Sequence, residues 1–222
     1  MSGKADAIRS WALSQVGCPY IMGGTGASCT VAYRQARAKQ YPGSAARITA
    51  NCPRLKGSAA SCASCRWYDG AAKQGKRAYD CAQLTRWCMN SVGISLVSGA
   101  TSQWNKTAFE QKGPIDQMPQ DQVCLLYRQD SASTMGHTGI YLGDGTVVHA
   151  KSHADGVVRE ALGCGNRFTH FGIPAGLRET ANAPAETTFS QPTTDVGALL
   201  FQIRLALSQI ETYLQEHNHA AG

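Results

Sequence analysis

Thr138-Gly139-Ile140-Tyr141-Leu142-Gly143-Asp144-Gly145-Thr146-Val147-Val148-His149-Ala150 is the stretch of the 222-residue chain that most constrains its fold. Thr138 to Leu142 and Val147 to Ala150 read as the arms of a β-hairpin, with Gly143-Asp144-Gly145 at the turn. His137 stands just before the first arm, and His149 lies twelve residues on in the second. Strand side chains alternate faces, so pairing register decides whether the two imidazoles share a face. A two-residue Asp144-Gly145 turn sets His149 opposite Ile140, away from the face of His137. A three-residue loop sets it opposite Gly139, on the face of His137 and one step diagonal. A joint role for the two histidines therefore requires an odd loop.

Working outward, Gln122 to Tyr127 reads as a buried strand, and Val157-Val158 and Phe168 to Ile173 as further short strands. Asp80 is a good N-cap. The helix after it carries Leu84, Trp87, Cys88 and Val92 on one stripe and ends near Gly93. Residues 4–16 form a helix with Ile8, Trp11, Ala12 and Val16 on one face. A tight glycine-rich loop follows over 18–26, and a short helix is expected over 33–40. Helices first and an antiparallel sheet after them give the α+β class.

Nucleophilic chemistry is the reading these residues favour. Cys81 directly follows the N-cap, where helix-terminal N–H groups favour thiolate over thiol. With the odd loop, His137 takes the thiol proton and later protonates the leaving amine, while His149 fixes its tautomer and orientation. A zinc site built from Cys81, His137 and His149 lacks an acid or second cysteine placed to support it.

Charge is unevenly spread. Ten Lys or Arg and one acid, Asp69, fall between Ser28 and Ala78, so that segment carries +9 while the whole chain carries +6. An anionic polymer suits such a segment, and a solvated basic loop is the plainer alternative. The segment also holds Cys29, Cys52, Cys62 and Cys65, and Cys62-Ala63-Ser64-Cys65 has the spacing of a zinc knuckle. Structural zinc, disulfides and free thiols all remain open there; no cofactor is required for the chemistry at Cys81. No apolar run is long enough to span a bilayer, and the N-terminus has no apolar core followed by a cleavage site. The expectation is synthesis in the cytoplasm without a signal peptide, with neither membrane nor nucleic acid as partner. Residues 178–194 read as a linker. In 195–217, Val196, Leu200, Ile203, Leu207, Ile210 and Leu214 form a heptad seam, so homo-oligomerisation through 196–214 is expected.

Four boxes resemble one known family in its own order. Tyr79-Asp80-Cys81-Ala82-Gln83-Leu84 resembles the Asp-Cys-Ser-Gly-Leu box of NlpC-type (NlpC/p-sixty) cell-wall cysteine peptidases. Gly136 to Gly143 is similar to the strand carrying that family's catalytic His, Val148-His149-Ala150 to its third catalytic position, and Pro19-Tyr20 through Gly26 to its upstream Tyr loop. The resemblance implies a papain-like α+β catalytic domain over 1–177, with 28–78 as a basic insertion. It implies hydrolysis of an amide in peptidoglycan stem peptides, most often between γ-D-glutamate and a diamino acid, as in a phage endolysin reaching the wall by another route. Cys81, His137 and His149 would be catalytic, and Tyr20, Asp80 and Ala82 would serve the oxyanion or substrate. Ala82-Gln83 departs from the family's Ser-Gly; a hydroxyl is lost and Gln83 adds bulk, which puts substrate choice in doubt. An N-acetylmuramoyl-L-alanine amidase on the same fold and a non-catalytic, oligomeric wall-binding protein are the rival readings.

Overall fold

The computed structural model describes residues 3–177. The expected linker over 178–194 and heptad helix over 195–217 lie outside the described residues.

Helix α1 (Lys4–Ser14) buries Ile8 and Ala12. Val16, assigned to the same face by periodicity, is instead exposed, because the helix ends at Ser14 and Gly17 turns the chain in the left-handed region. The Tyr20 loop then leads into β1 (Thr25–Ser28). Within the loop, Ile21 N donates to Tyr79 O at 2.9 Å, and Asp80 N donates to Gly24 O at 3.1 Å. A Cβ on Gly24 would lie 2.8 Å from the Tyr79 carbonyl carbon, so only glycine allows this approach. These contacts hold the loop against the segment just before Cys81.

The basic segment is a folded cap. It contains α2 (Val31–Gln40), α3 (Ala45–Ala50), β2 (Tyr68–Asp69) and β3 (Gln74–Gly75), and β4 (Arg77–Tyr79) closes it by pairing antiparallel with β1. Helix α2 starts before residue 33 because Thr30 Oγ1 accepts from Tyr33 N at 3.0 Å and caps it. The cap has its own small core, in which Ile21, Ile48, Trp67 and Ala78 are buried. Cys29, Cys52, Cys62 and Cys65 all line one cavity of about 20 Å³. All nine cysteines are free thiols, and among the described residues no three His, Cys, Asp or Glu are grouped to hold a metal ion. The four cysteines for which zinc, disulfides and free thiols were all open are thus gathered in one place. Cys29 Sγ instead accepts from Arg34 Nε at 3.1 Å.

Helices α4 (Cys81–Asn90) and α5 (Ala100–Lys106) precede the main sheet. Its strands are β5 (Phe109–Pro114), β6 (Cys124–Ser131), β7 (Thr134–Tyr141), β8 (Thr146–Ser152), β9 (Gly156–Ala161) and β10 (His170–Pro174). They form one antiparallel sheet in the order β5-β10-β6-β7-β8-β9. Helix α4 lies on β7 and β8 and joins Leu84, Cys88 and Met89 to Leu125, Ile140 and Val148 in the core. Each such side chain contributes roughly 1.5–3 kcal/mol by leaving water. Trp87 departs from the expected stripe: it is half-exposed, its Nε1 donates to Thr25 O at 3.0 Å, and Arg77 covers its ring.

The β7–β8 register is the one a joint histidine role demands. Ile140 pairs with Val148, and Leu142 N donates to Thr146 O at 3.0 Å, which leaves Gly143-Asp144-Gly145 as a three-residue loop. Gly143 and Gly145 sit at φ 76° and 82°, conformations that glycine reaches without a Cβ clash.

Candidate active site

Asp80 Oδ1 accepts from Gln83 N at 2.8 Å and starts α4 with Cys81 in its first position. Burial and then the Asp80 carboxylate push the Cys81 thiol up to about 12, against the opposing pull of the Thr138, Ala82 and Cys81 N–H groups. The helix terminus thus acts in the expected direction, against the larger opposing effect of burial. Asp80 is itself raised to about 6 by burial.

The two histidines meet. His137 on β7 and His149 on β8 are both buried, with His137 Nε2 2.8 Å from His149 Nδ1. Phe168 stacks on the His137 ring at a centroid distance of 5.6 Å. Gly139 makes room for this cluster, since a Cβ there would lie 3.0 Å from His149 Cβ and 3.0 Å from Phe168 Cζ. Burial, His149 and Arg128 hold the His137 pKa down to about 3, and burial also lowers that of His149.

A third member, Glu160 on β9, was not foreseen from sequence. Its Oε1 lies 3.0 Å from His149 Nε2. Lys151 Nζ donates to Glu160 Oε2 at 2.7 Å, and Asn166 Nδ2 donates to Oε1 at 3.1 Å. Burial works against the Glu160 charge, but the bonds from Lys151, His149 and Asn166 win and hold it below the ordinary Glu value. An ionised carboxylate only accepts, so His149 Nε2 carries the proton. A neutral His149 then accepts at Nδ1, which makes His137 Nε2 the donor. That leaves His137 Nδ1 with a free lone pair, the state a general base needs. The signal for Glu160 was strand alternation: Val158 pairs with His149, and Glu160 lies on the same face two residues on. Finding it required the β8–β9 register.

The remaining predicted residues fall around Cys81. Tyr20 bridges to Tyr79, and burial followed by the Cys81 and Asp80 charges raises its hydroxyl pKa, so it stays a donor. Ala82 is buried in the first turn of α4. Gln83 is also buried, and its Nε2 donates to Ser98 Oγ at 2.9 Å. Its bulk therefore fills the protein interior, contrary to the expectation that it would bear on substrate choice.

Residues 67–171 match the family model described as the NlpC/P60 family. That region, a little under half of the chain, is similar to an NlpC/P60 domain. The Tyr20 loop and most of the basic cap precede the matched region, which holds Cys81, His137, His149 and Glu160. Among curated proteins, peptidoglycan DL-endopeptidase CwlO of Bacillus licheniformis is 32% identical over 89 residues, covering 39% of this chain. The match spans only 19% of that relative's length. Among solved structures, the NlpC/p60 domain of the peptidoglycan hydrolase SagA is 17% identical with a TM-score of 0.44, over 76% of this chain and 97% of that one. The P60 domain of an antigen from M. avium subspecies paratuberculosis is 21% identical with a TM-score of 0.45, over 77% and 93%. RipD of Mycobacterium tuberculosis, described as a non-catalytic NlpC/p60 protein adapted to peptidoglycan binding, is 15% identical with a TM-score of 0.44, over 79% and 99%.

Proposed function

We propose that this chain is a cysteine peptidase that hydrolyses an amide of peptidoglycan stem peptides, the bond between γ-D-glutamate and a diamino acid. The observation that carries the reading is the chain of contacts from His137 through His149 to Glu160, on strands of the sheet that packs against α4, the helix begun by Cys81. It supports catalysis over a purely wall-binding role, because it leaves one imidazole nitrogen free to take a thiol proton. In the reaction, Cys81 Sγ attacks the carbonyl carbon as its proton passes to His137 Nδ1. The N–H groups at the start of α4 and the Tyr20 hydroxyl stabilise the oxyanion. His137 then protonates the leaving amine, and water, activated by the same nitrogen, hydrolyses the thioester. The +9 segment supplies a positive surface suited to anionic wall polymers.

Digestion of purified peptidoglycan with wild type and Cys81→Ala, followed by mass spectrometry of the new termini, tests this. New γ-D-glutamyl termini from wild type alone are expected. Free muramoyl ends would favour an amidase instead. No products, with retained pelleting on walls, would overturn catalysis.

A further inference from the structure

The basic cap does more than cover the domain. Helix α3 brings Arg47 to a cavity of about 330 Å³ that it shares with Tyr20, Met22, Lys151 and His153. Tyr20 ties this cavity to the nucleophile, since it lines the cavity and bridges to Tyr79, two residues before Cys81. The cavity is rich in donors and poor in acceptors. Arg47 makes only long contacts, Nη2 to Gly43 O at 3.4 Å and to Ser44 Oγ at 3.5 Å, and among the described residues no carboxylate pairs with it. Lys151 adds a second cation at the rim, held to Glu160 at 2.7 Å. No Asp or Glu lines the cavity.

His153 supplies the second, independent observation. It is 6% exposed, stands edge-on to Tyr20 at 4.8 Å, and makes no side-chain hydrogen bond at either ring nitrogen, with only a poorly formed contact to the Tyr20 backbone. A buried imidazole with so poorly formed a partner costs free energy that a bound polar group would recover. Burial, Arg47 and Arg34 hold it down to about 4, against a smaller pull from the Tyr20 backbone. At neutral pH it therefore offers one N–H and no positive charge.

We propose that this cavity is a substrate subsite that takes a carboxylate of the peptide being cut, with the Arg47 guanidinium as its ion partner and His153 as a second donor. The proposal rests on the peptidase reading above and narrows it. A γ-linked glutamate keeps its α-carboxylate beside the scissile amide, and a carboxylate matches the planar donor fork of arginine. Because Arg47 belongs to the cap, the insertion becomes a specificity element.

The test separates binding from cleavage. Two synthetic L-Ala-γ-D-Glu-diamino acid peptides, one with the α-carboxylate and one with the α-carboxamide, are titrated calorimetrically into Cys81→Ala, Cys81→Ala/Arg47→Ala and Cys81→Ala/Arg47→Lys. The carboxylate peptide is expected to bind about tenfold tighter to Cys81→Ala, a typical contribution from one charge-assisted bond. The preference should vanish with Arg47→Ala and largely return with Arg47→Lys. Arg47 is exposed, so melting curves should be unchanged by either replacement. Equal affinities in Cys81→Ala, a preference that survives Arg47→Ala, or no binding of either peptide would each overturn the subsite. Cleavage by wild type is read separately: if neither peptide is cut while the binding preference holds, the peptidase reading fails and the carboxylate site stands.

Discussion

Glu160→Gln removes one charge and almost no volume. In the wild type, Glu160 only accepts, and that single constraint sets the tautomers of His149 and then of His137. Glutamine can turn its amide toward His149 Nε2 and donate. Both imidazoles would then reverse, and the proton would sit on the His137 nitrogen that the proposed mechanism needs free. A hydrogen bond to a charged partner contributes about 1.5–3 kcal/mol. If that contribution is felt as His137 takes the proton, kcat/KM should fall about 10- to 150-fold, mostly in kcat. The assay is steady-state hydrolysis of a stem peptide across pH, with thermal melts in parallel. Lys151 keeps an acceptor in the amide oxygen, but the nitrogen facing His149 cannot accept from Asn166 Nδ2, which bonded the same carboxylate oxygen, so the melt should fall modestly. The deficit should persist from neutral pH downward and close only as pH falls through the lowered Glu160 value. A Glu160→Gln enzyme within twofold of wild type at every pH would refute the tautomer argument.

Other perturbations are equally direct. Gly139→Ala should destabilise the protein by about 1–3 kcal/mol in a denaturant titration, because the new methyl meets His149, Phe168 and Val147 at 3.0 Å; an unchanged midpoint would show that the cluster gives way easily. Acid should weaken the fold below neutral pH. His137 is held down to about 3 and His153 to about 4, while the unfolded chain protonates both near 6.5, so unfolding takes up protons as pH drops through that range. Asp80, raised to about 6, has the opposite sign: its contribution is present below its ordinary value and is lost as pH rises through about 6. Two histidines against one carboxylate leave a net fall in Tm from pH 6.5 to 4.5, which His137→Gln should flatten in part; a flat wild-type profile would contradict the burial argument.

Much of the candidate site's layout was legible because it is local. The Asp80 cap, the position of Cys81 and the three-residue loop each follow from a few adjacent residues, and the loop in turn decides the His137–His149 register. Among the elements missed, two outside the cap have a plain physical reason. Strand β5, Phe-Glu-Gln-Lys-Gly-Pro, is an edge strand with no buried residue, so it has no apolar alternation to read. Helix α5 is seven residues long, and its buried positions are Ala100 and Gln103, too short and too polar for a helical stripe. The cap could not be folded from its pattern because its core is built from distant residues, Ile21, Ile48, Trp67 and Ala78.

The sequence by itself determined which residues sit at a helix start and on one face of a hairpin, because capping and alternation act over a few residues. Only the tertiary structure decided their chemical state. Burial against neighbouring elements pushes the Cys81 thiol up and the His137 imidazole down, and the β8–β9 pairing supplies Glu160. Desolvation and cross-strand contact depend on what packs from elsewhere in the chain, and no local pattern carries that information.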